Sequence, residues 1–67
     1  MEITYNSKTD VLYILIDQHK QPLINKRVNE NMVLDIGKED KIVGIEILDA
    51  SKNVRLDQIL PITQKVA

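Results

Sequence analysis

The most restrictive stretch of this chain runs from residue 32 to 48. Met32-Val33-Leu34-Asp35-Ile36 is followed by Gly37-Lys38-Glu39-Asp40-Lys41 and then by Ile42-Val43-Gly44-Ile45-Glu46-Ile47-Leu48. Apolar residues recur at every second position on both sides of the polar break, the period of a half-buried strand and not of a helix. A hairpin centred between Glu39 and Asp40 sets Ile36 opposite Val43, Leu34 opposite Ile45 and Met32 opposite Ile47. Every member of that face is aliphatic or Met, while the reverse face carries Val33, Asp35, Gly44, Glu46 and Leu48. A slip of one residue sets Leu34 against Gly44 and scatters the apolar face, so the pattern itself holds the register.

A second hairpin is legible at the start. Ile3-Thr4-Tyr5 and Val11-Leu12-Tyr13-Ile14-Leu15-Ile16 flank a polar loop, Asn6 to Asp10, whose Asn, Ser and Asp side chains favour turns. With Ser7 to Asp10 as the loop, Tyr5 lies opposite Leu12 and Ile3 opposite Ile14. The longer strand is apolar on both faces, which predicts a central strand covered on both sides. Gln18 to Pro22 reads as a connection, with Pro22 biasing Gln21 toward extended geometry. Leu23 to Val28 forms a weaker third strand, since Asn25, Lys26 and Arg27 crowd its middle, and Asn29-Glu30-Asn31 bends after it. Asp49 or Ser51 is the expected cap of about two helical turns over Val54 to Leu60, ended by Pro61. The tail, 61–67, is expected to extend or fray.

These elements make one α+β, β-rich domain over residues 1–67: a small antiparallel β-meander of about four strands with a short C-terminal helix. A chain of 67 residues without cysteine has no disulfide and no thiolate metal site, and compact chains this short usually need a staple or a partner. Nine basic and ten acidic residues argue against a module that neutralises many phosphates, although Lys20, Lys26 and Arg27 are a local basic group. The longest apolar run, Val11 to Ile16, is far short of a membrane span, and the start lacks the basic and apolar regions of a signal peptide. A cytoplasmic protein with neither nucleic acid nor membrane as partner is expected.

Candidates for chemistry are few. His19 stands beside Lys20 in a polar loop without a second His or a Cys to complete a common zinc set, and is expected to be solvated. Asp35 and Glu46 share the reverse face of the second hairpin, near-diagonal to each other, where two carboxylates share a proton, bind a hard cation or are balanced by a neighbouring base. Asp49 is a third carboxylate for such a site. Gly44 inside a strong strand marks a bulge or a close approach, by Tyr13, by the C-terminal segment or by a second subunit. Ser51 and Thr63 lack the adjacent oriented base that a nucleophile requires. No catalytic residue, cofactor or metal ligand is assigned.

Ile3-Thr4-Tyr5 with Asp10-Val11-Leu12-Tyr13-Ile14, and Val33-Leu34-Asp35 with the block Val43-Gly44-Ile45-Glu46-Ile47-Leu48-Asp49-Ala50-Ser51, resemble the bacterial and archaeal domain-of-unknown-function family 2283 over residues 1 to about 54. Two departures stand out. Members often carry Asp-Pro where this chain has Asn6-Ser7, and an Asp-Gly pair at the second tip where it has Glu39-Asp40. The resemblance implies a small antiparallel sheet with a C-terminal helical segment and no established activity. Family genes often neighbour genes for small toxin-like proteins, which implies an antitoxin-like partner role.

The two hairpin registers gather Ile3, Tyr5, Leu12, Ile14, Ile16, Met32, Leu34, Ile36, Val43, Ile45 and Ile47 on one side. Val11, Tyr13, Leu15, Val33, Gly44, Glu46 and Leu48 remain on the other and are the expected interaction residues. The chain is accordingly expected to be a non-enzymatic, self-associating module, a dimer whose second copy completes the core, with a small protein as a further partner. The competing expectation is a metal-binding or acid/base site at Asp35 and Glu46.

Overall fold

The computed structural model describes residues 1–59. Five antiparallel strands form one sheet: β1 (Glu2–Asn6), β2 (Val11–Leu15), β3 (Ile24–Asn29), β4 (Met32–Ile36) and β5 (Ile42–Ile47), in the order β1-β2-β5-β4-β3. A four-residue helix, α1 (Ala50–Asn53), follows. The small β-rich sheet with a short C-terminal helix is therefore as the sequence implied. The count is five because the weak third strand does form, one residue later than expected. The order is not that of a single meander: β5 inserts between β2 and β4, so residues 16–23 cross from β2 to the far edge of the sheet.

The registers follow the alternation closely. Ile3 pairs with Ile14 and Tyr5 with Leu12, while Leu34 pairs with Ile45 and Met32 with Ile47. Ile36 departs from expectation, pairing with Ile42 and not Val43, because the β4–β5 ladder shifts after Asp35 and leaves Val43 as an extra residue. Such a bulge re-aims the strand locally. The Val43 carbonyl accepts from both Ile16 N–H (2.7 Å) and Asp17 N–H (3.1 Å), and its side chain is buried. At the tip, Glu39 and Asp40 both take positive φ, 58° each.

Leu12 and Ala50 are the fully buried apolar residues, with Val43 and Val33 close behind. The expectation that β2 is covered on both sides fails. It is an internal strand, flanked by β1 and β5, but Val11, Tyr13, Ile14 and Leu15 are only half-buried. Among the described residues, one sheet and a four-residue helix do not make the second layer that such coverage needs.

The helix also departs from expectation. It occupies Ala50–Asn53, after which Val54 is extended (φ −137°, ψ 157°) and only a 3-10 turn, Leu56–Gln58, follows. Neither Asp49 nor Ser51 caps it by its own side chain. Asp49 sits at the N-cap in left-handed geometry without a side-chain bond, and the cap comes from Asp10 in the first hairpin loop. The Asp10 carbonyl accepts from Ala50 N–H (2.9 Å), and its carboxylate accepts from Ser51 N–H (3.0 Å) and Ser51 Oγ–H (2.6 Å). The expected helical residue Leu60, the tail 61–67 and Thr63 lie outside the described residues.

Candidate functional site

The reverse face is organised in rows across the sheet. One row reads Thr4, Tyr13, Glu46, Val33, Arg27, and the next reads Glu2, Leu15, Gly44, Asp35, Asn25. Asp35 and Glu46 thus lie diagonal to one another, as expected, and Gly44 faces Leu15 on one side and Asp35 on the other. Of the three neighbours expected for Gly44, the structure selects Tyr13. A Cβ at Gly44 would lie 2.2 Å from Tyr13 Oη and 2.7 Å from Cζ, so the phenol occupies the space that any side chain would need.

Lying over the glycine, the Tyr13 hydroxyl donates to Asp35 Oδ2 (2.6 Å), and Asn25 Nδ2 donates to Oδ1. Asp35 is 7% exposed, and both of its oxygens accept a hydrogen bond, which offsets the cost of burying a carboxyl. Burial, then the hydrogen bond to Asp35, then the Asp35 and Glu46 charges push the Tyr13 hydroxyl up to about 12. It is therefore protonated throughout the neutral range, a donor and not a base.

The expected interaction residues do not form one open apolar surface. Val33 and Gly44 are buried, whereas Val11, Tyr13, Leu15, Glu46 and Leu48 are half-buried. Leu48 extends past the strand, and its N–H donates to Asn31 O (2.8 Å). Asn25 and Asp10 are the polar residues that sequence reasoning passed over. Asn25 gives a signal only once β3 is paired with β4, which puts it directly opposite Asp35.

Asp10 is the hub of a second polar cluster. Tyr5 Oη–H donates to Asp10 Oδ1 (2.7 Å), alongside the two bonds from Ser51. The Ser51 hydroxyl, then Tyr5 and the Ser51 N–H hold the Asp10 carboxyl below its ordinary range, and the same bond raises the Tyr5 hydroxyl. The cluster joins the first hairpin loop to α1.

His19 is a solvated loop residue, 91% exposed, with Nδ1 2.8 Å from Asp17 Oδ1. The His19 backbone N–H, then its ring and Gln21 hold the Asp17 carboxyl low. With Lys20, Lys38 and Lys41, these residues line an open cleft of about 370 Å³. Lys26 and Arg27 project to opposite faces because they are adjacent in a strand, so the basic group with Lys20 does not converge. Among the described residues there is no cluster of three His, Cys, Asp or Glu positioned for a metal ion.

The opposite face has its own rows: Tyr5, Leu12, Ile47, Met32, and then Ile3, Ile14, Ile45, Leu34, Lys26, with Ile42, Ile36 and Ile24 beyond the bulge. The segment after β5 covers one end, where Leu12 and Ala50 are buried and Val54 lines a cleft with Met32 and Ile47. Toward the other end the aliphatic side chains are half-exposed, and Ile24, Ile16 and Ile42 reach 71%, 45% and 44% exposure.

Taken together, the sheet, the glycine lying under a tyrosine and the carboxylate-capped helix define a small antiparallel β-sheet domain closed at one end by a helical turn. No helix among the described residues is long and apolar enough to cross a membrane. The chain belongs to the family described as protein of unknown function (DUF2283), whose model matches residues 2–51. The match takes in all five strands and the start of α1, close to the expected 1 to about 54. Among curated proteins and solved structures nothing matches.

Proposed function

We propose that this chain is a non-enzymatic protein-interaction module that works through the apolar face of its sheet. The observation that carries the reading is the contrast between the two faces. On the reverse face the buried carboxylate is tied up within the fold, Tyr13 and Asn25 both donating to Asp35. On the other, the row Ile3, Ile14, Ile45, Leu34 runs across four strands beside exposed Ile16, Ile24 and Ile42. Contiguous apolar surface beyond a few hundred Å² is rare on monomers and marks interaction sites.

The competing reading, a metal or acid/base pair of Asp35 and Glu46, is weaker because Tyr13 and Asn25 take both Asp35 oxygens. Thermal melts with and without divalent cations, on the wild type and on Glu46→Gln, test the choice. An interaction module gives superimposable melts. A cation-dependent rise that disappears in Glu46→Gln would overturn the proposal. The finer role, antitoxin-like binding of a small toxin, is supported by the family resemblance. Its test is coexpression with such a protein encoded beside it: the two stay together through gel filtration if the role is correct and separate if it is not.

A further inference from the structure

We infer that residues 50–59 are a strap that gates one end of the apolar face, latched shut by Asp10 and able to open while the five strands stay paired. The inference rests on the interaction reading only for what the gate controls.

The strap is held chiefly at one point. Ala50 N–H donates to the Asp10 carbonyl (2.9 Å), and Ser51 N–H (3.0 Å) and Oγ–H (2.6 Å) donate to its carboxylate. Elsewhere Asn31 Nδ2 reaches Asn53 Oδ1 only at 3.5 Å, the outer limit of a hydrogen bond. Packing adds little beyond Ala50, which is buried. Ser51, Lys52 and Asn53 are exposed, and Val54, Leu56 and Ile59 are half-buried. A segment with so few buried apolar residues opens at lower cost than core strands, and β2, β5 and β4 each have a strand on both sides.

The hinge lies beside the latch. Asp49 joins β5 to α1 in left-handed geometry (φ 49°, ψ 48°) with no side-chain bond to the helix to offset it. That conformation crowds the Cβ of an L residue, so straightening the chain at Asp49 relieves strain as the strap leaves the sheet.

Opening changes the face itself. Leu12 is fully buried at the end that the strap closes, and Val54 shares a cleft with Met32 and Ile47. With the strap away, the row Tyr5, Leu12, Ile47, Met32 joins the row Ile3, Ile14, Ile45, Leu34 in one apolar surface. The Asp10 carboxyl is held below its ordinary range, so it is ionised and the latch engaged at neutral pH.

The test is amide hydrogen exchange of the full chain, followed by NMR across low urea concentrations, on the wild type, Asp10→Asn and Ser51→Glu. Asp10 takes φ 57°, which Asn tolerates, so that variant alters the latch and not the turn. In the wild type the Ala50 and Val54 amides should exchange at least about ten-fold faster than those of β4 and β5, with a shallower dependence on urea, because local opening exposes less surface than unfolding. Asp10→Asn should raise the strap rates about ten-fold. Ser51→Glu sets a carboxylate against Asp10, and its strap amides should exchange near free-peptide rates with the far-UV circular dichroism of the sheet retained. Fluorescence of the apolar dye anilinonaphthalene sulfonate should then rise above that of the wild type. A strap that exchanges with the rate and urea slope of the sheet belongs to one cooperative unit and overturns the inference. So do strap rates unmoved by Asp10→Asn, a strap still protected or a sheet lost in Ser51→Glu, and an open strap that binds no more dye. Exchange in the chain alone does not depend on any partner, so failure here leaves the interaction reading to its own cation-dependent melts.

Discussion

Replacing Gly44 with alanine tests the arrangement at the centre of the reverse face. The new Cβ would sit 2.2 Å from Tyr13 Oη, 2.7 Å from Cζ and 3.1 Å from Cε1. Ordinary carbon-to-oxygen contacts begin at about 3.3 Å, so the phenol must retreat by about 1 Å. The bond to Asp35 then lengthens from 2.6 Å to beyond hydrogen-bond range. Asp35, 7% exposed, keeps only Asn25 of its two donors. Removing a donor from a buried acceptor costs about 1–3 kcal/mol, offset by about 0.5–1 kcal/mol for alanine over glycine in a strand. The net loss is centred on about 1 kcal/mol and reaches at most about 2.5 kcal/mol, and 1 kcal/mol lowers the melting temperature of a domain of this size by roughly 4–8 °C. Urea unfolding followed by circular dichroism measures it, repeated in Tyr13→Phe and Tyr13→Leu backgrounds. Gly44→Ala should cost less in Tyr13→Phe, where the ring remains but the hydroxyl is gone. In Tyr13→Leu, where the space is open, it should be neutral or stabilising by about 0.5 kcal/mol. An equal loss in all three backgrounds would refute the reasoning and place the need for glycine in the backbone.

Further outcomes follow from the same geometry. Because the Tyr13 hydroxyl is raised to about 12, its protonated form supplies stability that is fully present below the ordinary tyrosine value of about 10 and lost as pH rises through 12. Tyrosinate absorbance should show both tyrosines ionising above 10, with the later step absent in Tyr13→Phe. Asp10 is held low, so its contribution is present above the ordinary carboxyl range and lost as pH falls through its folded value. Urea midpoints should decline from about pH 5 downward, and Asp10→Asn should flatten that decline. Ser51→Ala removes one bond to Asp10 and should lower stability by about 1 kcal/mol, with faster amide exchange confined to α1 and the first loop. Glu39→Gly relieves a positive φ of 58° at the second tip and should raise stability by about 1 kcal/mol in thermal melts; no change would mean the turn is unstrained.

How much of this was legible in the sequence varies with the range of the interaction. The period of two in Met32–Ile36 and Ile42–Ile47 determined which side chains share a face, and a one-residue slip would have exposed the whole set, so Leu34–Ile45 and Met32–Ile47 followed directly. The need for a close approach at Gly44 was legible for the same local reason, a strand interior that does without a side chain. The identity of its neighbour was one of three choices until β2 was placed beside β5. That placement joins segments far apart in the chain, and nothing in the alternation distinguishes β5 from β3 as the partner of β2.

The interactions missed were long-range. Asp10 caps a helix 41 residues away, which displaced the expected Asp49 and Ser51 caps and moved the helix forward to Ala50. Local propensity in Val54 to Leu60 was outweighed because a helix this short exists only where tertiary contacts hold it. The Val43 bulge likewise depends on two N–H groups from the end of β2 meeting one carbonyl. The sequence by itself determined strands, faces and the two hairpin registers, since these depend on side-chain alternation between near neighbours. Only the tertiary structure decided strand order, the capping of α1 and which face stays exposed, since each of these is set by where distant segments come to rest on the sheet.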